Sequence, residues 1–259
     1  MTGAPHSDPR GSWSQTYRGV SGVYDEFLDA SGAVRPQWSG LVEAFDSAGP
    51  EELQTRWDPP QREGASNGCA CNPSQADKQS PRPWVLDALP LIVPESDWNT
   101  IAAGVQQRAR LFDAVLTDVY GPQRLLRERM VPQEAVFNHP KYFPALANIH
   151  GPSASRLHLY AADLARSPDG TWWVTNDHTR APLGLGFLLE NRLITSRLVA
   201  GIYDESYVHR LAPFFAAYRE ELIGLSVKHR DDPRIVLWTQ GASSRSYFED
   251  AYLARYLGF

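Results

Sequence analysis

The chain is constrained most strongly by residues 171–192, where a strand, a polar tip, a glycine loop and a helix are predicted in succession. Residues 172–174 read Trp-Trp-Val, the aromatic and β-branched types that favour a strand. Polar residues follow, and a loop with Gly184 and Gly186 leads into an apolar run. Glycines let backbone N–H groups approach a ligand, and a helix N-terminus favours an anion. The order is therefore typical of phosphate sites as well as of ordinary connections.

From the residue types alone, an ordinary strand-to-helix loop is the favoured interpretation. Gly184 and Gly186 lack the further spaced glycine of the dinucleotide and P-loop patterns. Side chains alternate along a strand, so Asp177 is expected on the opposite face from Asn176 and His178. These three polar residues are therefore not expected to converge on one ligand.

Composition and charge disfavour two classes of partner. The formal net charge is -5 and the pI is about 5.8, and the lysines and arginines are scattered, so nucleic acid is not expected. No apolar run approaches the ~20 residues of a membrane helix. The N-terminus lacks the basic start and apolar centre of a secretory signal. We therefore expect a cytoplasmic protein without a membrane partner.

The pattern along the chain predicts an α/β fold, a mixed sheet with helices packed on it. Residues 1–21 are rich in Gly, Ser and Pro and are expected to be a disordered tail, with one domain over residues 22–259. Apolar residues at helical spacing predict a helix over 96–119 with its apolar stripe against the core. A turn signal at 167–170 predicts a hairpin, and residues 234–239 predict a buried strand.

The polar segment over residues 58–83 is predicted to be a long loop, because it repeats Pro, Gly, Asn and Ser. Its small polar run at 64–73 is expected to pack poorly as a strand.

Motifs along nearly the whole chain resemble, in their order, those of the circularly permuted ATP-grasp family, type 2. Its members resemble glutathionylspermidine synthase and other ATP-dependent carboxylate–amine ligases. The central stretch matches the family pattern at Asp177, Arg180, Pro182, Gly184, Glu190, Asn191 and Arg192. Other matches fall at Tyr24-Asp25-Glu26, Arg82-Pro83-Trp84, Gln107-Arg108, Asp163 to Arg166 and Tyr247-Phe248-Glu249.

The resemblance implies an incomplete ATP-grasp-like fold, because relatives continue past position 259 for about as long again. It implies ATP and magnesium as cofactors, and small-molecule carboxylates and amines as substrates. It further implies roles for particular side chains: catalytic Arg180 and Glu249; nucleotide-binding Arg108, Arg180, Gly184, Gly186 and Asn191; and magnesium-binding Asn176, Asp177 and Glu190.

Several of these roles have simpler alternatives. Where the superfamily has a Glu-x-Asn-x-Arg metal cluster, this chain has Asn176, His178 and Arg180, which loses a charge and introduces a poor ligand for a hard cation. Arg108 and Arg180 could each pair with a carboxylate. Glu190 is favoured as an acidic residue in a helix's first turn over a metal ligand.

Three hypotheses for function remain open. The first is a ligase-like enzyme that binds magnesium and ATP. The second is a non-catalytic module, a degenerate partial copy that needs a protein partner to supply the remaining strands. The third is a gene fragment. Inactivity is compatible with the altered metal cluster and the length of the chain.

Overall fold

The computed structural model describes residues 13–66, 70–71, 82–149, 151, 155–199, 208–226, 233–242, 244 and 246–259. Helices dominate this part of the chain. They are α1 (Trp13–Thr16), α2 (Ser39–Ser66), α3 (Glu95–Val119), α4 (Arg124–Arg127), α5 (Gln133–Phe137), α6 (Leu185–Leu198), α7 (Ala212–Gly224) and α8 (Tyr247–Leu257), with 3-10 turns at Pro36–Trp38 and Pro144–Leu146.

The strands form two separate antiparallel pairs. Strand β1 (Ala70–Cys71) pairs with β2 (Arg82–Pro83), and β3 (Ala161–Arg166) pairs with β4 (Trp172–His178). The predicted combination of helix and strand is present, and the predicted hairpin is confirmed. The mixed sheet is not found among the described residues, where each sheet has two strands.

Residues 234–239 do not form the predicted buried strand. The described segment 233–242 has no regular secondary structure, and its Val236 and Trp238 side chains are 76% and 95% exposed. An apolar β-branched run favours a strand only if a neighbouring backbone accepts its hydrogen bonds. No strand in the described part of the chain pairs with it.

The segment predicted as a loop over residues 58–83 is partly regular. Helix α2 extends to Ser66, after a break at Gly49, whose φ of 72° and ψ of 166° are not helical. Leu53 and Trp57 pack against buried residues and anchor this second half of the helix. The polar run also contributes β1, contrary to expectation, although residues 67–69 and 72–81 lie outside the described part.

Two apolar clusters share helix α6. One joins the N-terminal region to the end of α6, through Phe27, Trp38, Leu41, Phe45, Leu198 and Val199. The other joins α6, α7 and α8, through Leu189, Phe215, Leu253 and Leu257. Burial of one such side chain stabilises the fold by about 1.5–3 kcal/mol. Helix α6 is thus held on two sides, which fixes the loop before it.

The predicted helix over residues 96–119 is confirmed as α3, and its predicted apolar stripe is partly buried. Ile101 and Val119 are buried, Val105, Phe112 and Val115 are half-buried, and Trp98 is exposed. Helix α3 lies beside the β3–β4 hairpin, and side chains such as Asp97 connect the two through ion pairs and hydrogen bonds. The apolar periodicity of the sequence predicted the helix, but it did not predict which parts of the chain cover its apolar stripe.

Residues 1–12 of the predicted disordered tail lie outside the described part. From residue 13 the chain forms α1, and the Tyr17 ring meets the Phe27 ring at 5.5 Å. In the described part of the chain, no helix is both long and apolar enough to cross a membrane.

Candidate functional site

A β-bulge sets the two faces of the β3–β4 hairpin. Asp163 pairs with Asn176 and Leu164 pairs with Val174, so Thr175 is an extra residue on β4. Two neighbouring residues, Thr175 and Asn176, are therefore both exposed, and alternation resumes one residue later. The bulge returns Asp177 to the side that faces α3.

Asp177 lies on the inner face, opposite Asn176 and His178, as the sequence predicts. Trp172, on the same inner face, donates its indole N–H to Asp97 of α3 at 3.3 Å. Asp177 contacts Arg108 of the same helix. Asn176 and Asp177 therefore cannot serve one ion together, and the predicted magnesium set of Asn176, Asp177 and Glu190 is not assembled.

Arg108 is paired with a carboxylate. Its Nε donates to Asp177 Oδ1 at 2.9 Å and its Nη2 donates to Oδ2 at 2.5 Å, a bidentate arrangement. The Tyr160 hydroxyl donates to the same carboxylate. The hydrogen bonds from Arg108, and then from Tyr160, lower the pKa of Asp177. Arg108 is therefore oriented towards the hairpin, which matches the alternative of a carboxylate pair rather than a phosphate contact.

The outer face of the hairpin carries a cluster of Asp163, Asn176 and His178, hereafter the outer cluster. His178 Nε2 lies 3.0 Å from Asp163 Oδ2. The Asn176 amide nitrogen lies 3.4 Å from His178 Nε2 and 3.5 Å from Asp163 Oδ2. The side chains of His178 and Asp163 are 39% and 58% exposed, so the cluster is open to solvent.

The outer cluster does not fit magnesium. Mg²⁺ requires oxygen ligands, and the cluster offers one carboxylate, one amide and one imidazole nitrogen. Among the described residues, the outer cluster included, there is no group of three His, Cys, Asp or Glu side chains that could hold a metal. No step of a reaction is therefore assigned to magnesium here.

The N–H groups of the glycine loop are bound to Glu249 of α8. Gly184 N and Gly186 N donate to Glu249 Oε2 at 2.5 and 2.9 Å. Glu249 is 2% exposed, and burial raises its pKa. A carboxylate of the chain itself thus occupies the position that the sequence predicts for phosphate.

Glu190 and Asn191 lie further along α6. Glu190 is the sixth residue of the helix, so the first-turn interpretation is wrong. It is 1% exposed, and its Oε2 has no hydrogen-bond partner in the described part. Asn191 Oδ1 accepts the indole N–H of Trp84 at 2.7 Å. Both side chains face protein.

Arg180 is exposed, two residues beyond His178. It has no hydrogen bond or ion pair among the described residues, so the alternative of a surface salt bridge is not found there. Arg180 is thus an exposed cation near the end of β4, the strand that carries Asn176 and His178 of the outer cluster.

Sequence reasoning missed the importance of Arg166. Its guanidinium forms ion pairs with Glu26 at 2.7 Å and with Asp97, and lies 4.1 Å from the Tyr24 ring centroid and 4.5 Å from that of Trp172. The side chain is 9% exposed. The sequence did contain a signal for this contact, because the motifs at residues 24–26 and 163–166 both match the family pattern. Only the fold shows that these two motifs are in contact.

Comparisons with known proteins agree with the motif order. Residues 90–259 match the family described as circularly permuted ATP-grasp type 2. The chain is 36% identical over 249 residues to an uncharacterized protein of Mycobacterium tuberculosis, covering 93% of this chain and 28% of that protein. It is 28% identical over 235 residues to an uncharacterized protein of Synechocystis, covering 91% and 49%.

A protein of Frankia casuarinae named "Putative glutamate--cysteine ligase 2-2" is 31% identical over 236 residues, covering 91% of this chain and 27% of that protein. The chain therefore spans between about a quarter and a half of the length of these relatives. The family match covers residues 90–259, more than half of the chain. The chain belongs to the circularly permuted ATP-grasp type 2 family.

Proposed function

We propose that this chain belongs to an ATP-dependent ligase that joins a carboxylate to an amine or a thiol, and that Arg180 contacts the nucleotide phosphates. Family membership and the ligase name of the Frankia relative favour this class. The chain spans only 27% of that relative, so the activity of the whole protein is part of the proposal.

The observation that carries the proposal is the exposure of Arg180 beside an open polar surface. A guanidinium free of carboxylates is available to a phosphate, with which it can form two parallel hydrogen bonds. Asn176 and His178 of the outer cluster lie on the strand just before Arg180, and the side chains of His178 and Asp163 are open to solvent. Arg108 is less suited to this role, because Asp177 already holds it.

The contact of Glu249 with Gly184 and Gly186 argues against the glycine loop as the place where the phosphates bind. Because Glu249 Oε2 already accepts both N–H groups, a phosphate would have to displace a buried carboxylate. We therefore assign the phosphate contact to Arg180 and not to the glycine loop. Glu249 is proposed to hold the loop rather than to react.

Thermal denaturation with ATP and Mg²⁺ tests the proposal. We expect ATP to raise the melting temperature of the wild type, because a ligand that binds only the folded state stabilises it by about 2.7 kcal/mol at 100 times its Kd. Arg180→Ala should weaken this response. The matched control is Arg110→Ala, which removes an exposed arginine from α3.

Two results would contradict the proposal. One is a wild type that ATP does not stabilise at any concentration up to the millimolar range. The other is an Arg180→Ala variant that responds to ATP as the wild type and the Arg110→Ala control do.

The second candidate function is a binding module completed by a protein partner, and the exposed segment 233–242 favours it. Val236 and Trp238 expose apolar surface that proteins usually cover. Light scattering tests this: we expect the wild type to associate with increasing concentration, and Val236→Asp/Trp238→Lys to remain monomeric. A wild type that is monomeric throughout argues against this candidate.

A further inference from the structure

A separate surface is formed by residues 120–149, which follow α3 and which the proposed function does not use. Leu126 of α4 is 2% exposed and anchors this segment. The Asp118 carboxylate, near the end of α3, accepts the N–H groups of the first two residues of α4 at 2.9 Å each. The Asn148 N–H donates to the Tyr120 carbonyl at 2.7 Å. The segment is therefore held at both of its ends.

The framework of this surface is aromatic. The Tyr142 ring stacks on the Tyr120 ring with 5.2 Å between their centroids, and it meets the Phe137 ring edge to face at 5.4 Å. The Tyr120 hydroxyl accepts the Phe143 N–H at 3.2 Å. These contacts order the rings before any partner binds, which lowers the entropy cost of binding.

Four apolar side chains around this framework are exposed to solvent. Phe137, Phe143, Leu146 and Ile149 are 45%, 54%, 47% and 51% exposed. Leu146 N donates to the Phe143 carbonyl at 2.9 Å, and Ile149 N donates to the Leu146 carbonyl at 3.3 Å, so two successive turns bring these three residues together. With Tyr142, these four residues are hereafter the aromatic patch. Apolar side chains that are exposed singly are ordinary, whereas a contiguous group marks an interaction site.

Two cations border the aromatic patch. Lys141 is exposed and precedes Tyr142 directly. Arg156 Nη2 donates to the Ile149 carbonyl at 2.8 Å, and its guanidinium lies 5.7 Å from the Tyr120 ring centroid. Neither cation forms an ion pair with a carboxylate in the described part of the chain. Both are therefore available to an acidic ligand.

The segment is cationic within an acidic chain. Residues 120–149 contain four Lys and Arg and two Glu, Glu128 and Glu134, which gives a net charge of +2. The whole chain carries -5, so the remaining residues carry -7, the difference between -5 and +2. An acidic partner would therefore be attracted to this surface and repelled by the rest of the chain.

Charge and symmetry favour a different protein as the partner. An anionic lipid surface would repel most of the molecule, because the rest of the chain is acidic. A two-fold dimer through the patch would bring the cations of both copies together, because such an interface pairs a surface with itself. A protein segment that carries apolar side chains together with Asp and Glu complements both the rings and the cations.

We propose that the aromatic patch, with Lys141 and Arg156, binds a segment of another protein that combines aromatic or aliphatic side chains with Asp and Glu. This interaction goes beyond the proposed function and uses neither Arg180 nor segment 233–242. Either proposal can therefore fail without the other.

Fluorescence anisotropy with a labelled peptide tests the interaction. The probe has the sequence Asp-Glu-Phe-Asp-Asp-Leu-Glu-Asp-Phe-Glu, and the matched peptide has Asn for every Asp and Gln for every Glu. We expect the acidic peptide to bind saturably below about 1 mM and the neutral peptide to bind more weakly. Binding should weaken with added NaCl, because the Debye length falls from about 10 Å at 0.1 M to about 3 Å at 1 M.

Lys141→Glu should weaken binding of the acidic peptide by at least about threefold, because it replaces an attraction by a repulsion. Phe143→Ser/Leu146→Ser should weaken it by at least about tenfold, because it removes apolar contacts from the patch. The matched controls are Arg110→Glu and Leu111→Ser at exposed positions of α3, which should bind as the wild type does. Circular dichroism should show that all variants are folded, and Lys141→Glu provides the test if the double variant is not.

The proposal is overturned if the wild type does not bind the acidic peptide below about 1 mM, if the neutral peptide binds equally, or if Lys141→Glu binds as Arg110→Glu does. Two further results would assign the patch to another occupant and overturn the proposal as well. One is sedimentation of the chain with phosphatidylserine vesicles that Lys141→Glu abolishes. The other is self-association, measured by light scattering, that Phe143→Ser/Leu146→Ser abolishes.

Discussion

At the scale of single residues, Gly186 of α6 packs closely against Glu249 of α8. A Cβ atom built on Gly186 would lie 2.9 Å from Glu249 Cα and 3.0 Å from its Cγ. A Cα atom belongs to the backbone and cannot turn aside, so only glycine allows this approach. The packing of the two helices therefore requires glycine at position 186, and the same glycine makes the loop resemble a phosphate-binding loop.

We predict that Gly186→Ala destabilises the protein. The added methyl group forces α6 and α8 apart and weakens the hydrogen bonds of Glu249, at a cost of about 1–3 kcal/mol in the free energy of unfolding. Urea denaturation followed by circular dichroism measures this loss.

The control for this substitution is Gly104→Ala in α3. A Cβ there meets no atom within 4 Å, so alanine should stabilise the helix by about 0.5–1 kcal/mol. If both variants change the free energy of unfolding in the same direction, the close packing against Glu249 is not the reason that position 186 requires glycine.

At the scale of elements, one carboxylate connects the N-terminus of α6 to α8. Glu249 is buried and accepts the Gly184 and Gly186 N–H groups, while burial raises its pKa. An acid with a higher pKa in the folded state contributes stability that is full below its unfolded pKa. That contribution is lost as the pH rises through the folded pKa. The junction of these helices is therefore more stable when Glu249 is protonated.

Glu249→Gln should remove this dependence, because glutamine can accept the same hydrogen bonds but does not ionise. The free energy of unfolding of the variant should rise relative to the wild type as the pH increases from about 4.3, the ordinary pKa of Glu. Urea denaturation over a series of pH values measures the difference.

Other titrating groups, including Asp177 with its lowered pKa, are common to both proteins and cancel in this difference. Glu43→Gln, at an exposed position on α2, serves as the control and should show no such trend. A difference between Glu249→Gln and the wild type that stays constant with pH would contradict this account.

At the scale of the whole molecule, Arg166 joins three distant parts of the chain. Glu26 belongs to the N-terminal segment, Asp97 to α3, and Trp172 to the hairpin, and all three contact one guanidinium. Arg166 Nε also donates to the Gly170 carbonyl at 2.9 Å, which fixes the turn of the same hairpin. These contacts place the hairpin, and with it the outer cluster, relative to the rest of the described chain.

Arg166→Met should destabilise the protein by about 3 kcal/mol, because it leaves two carboxylates without their cation in a largely buried position. Chemical denaturation measures the loss, and hydrogen exchange should show faster opening around Glu26. Arg255→Met removes an exposed arginine at the end of α8 and should change stability by no more than about 0.5 kcal/mol. If the two substitutions lower the free energy of unfolding equally, the contacts of Arg166 are not the cause of the loss of stability.

The sequence alone determined the family, helix α3, the hairpin and the opposite orientations of Asn176 and Asp177. These features can be predicted from the sequence because motif order, apolar spacing and side-chain alternation are properties of residues close together in the chain. Only the tertiary structure decided that Glu249 occupies the glycine loop, that Asp177 holds Arg108, and that residues 234–239 lack a pairing strand in the described part. Each of these three features depends on residues far apart in the chain. The residue types alone do not specify which distant residues come into contact.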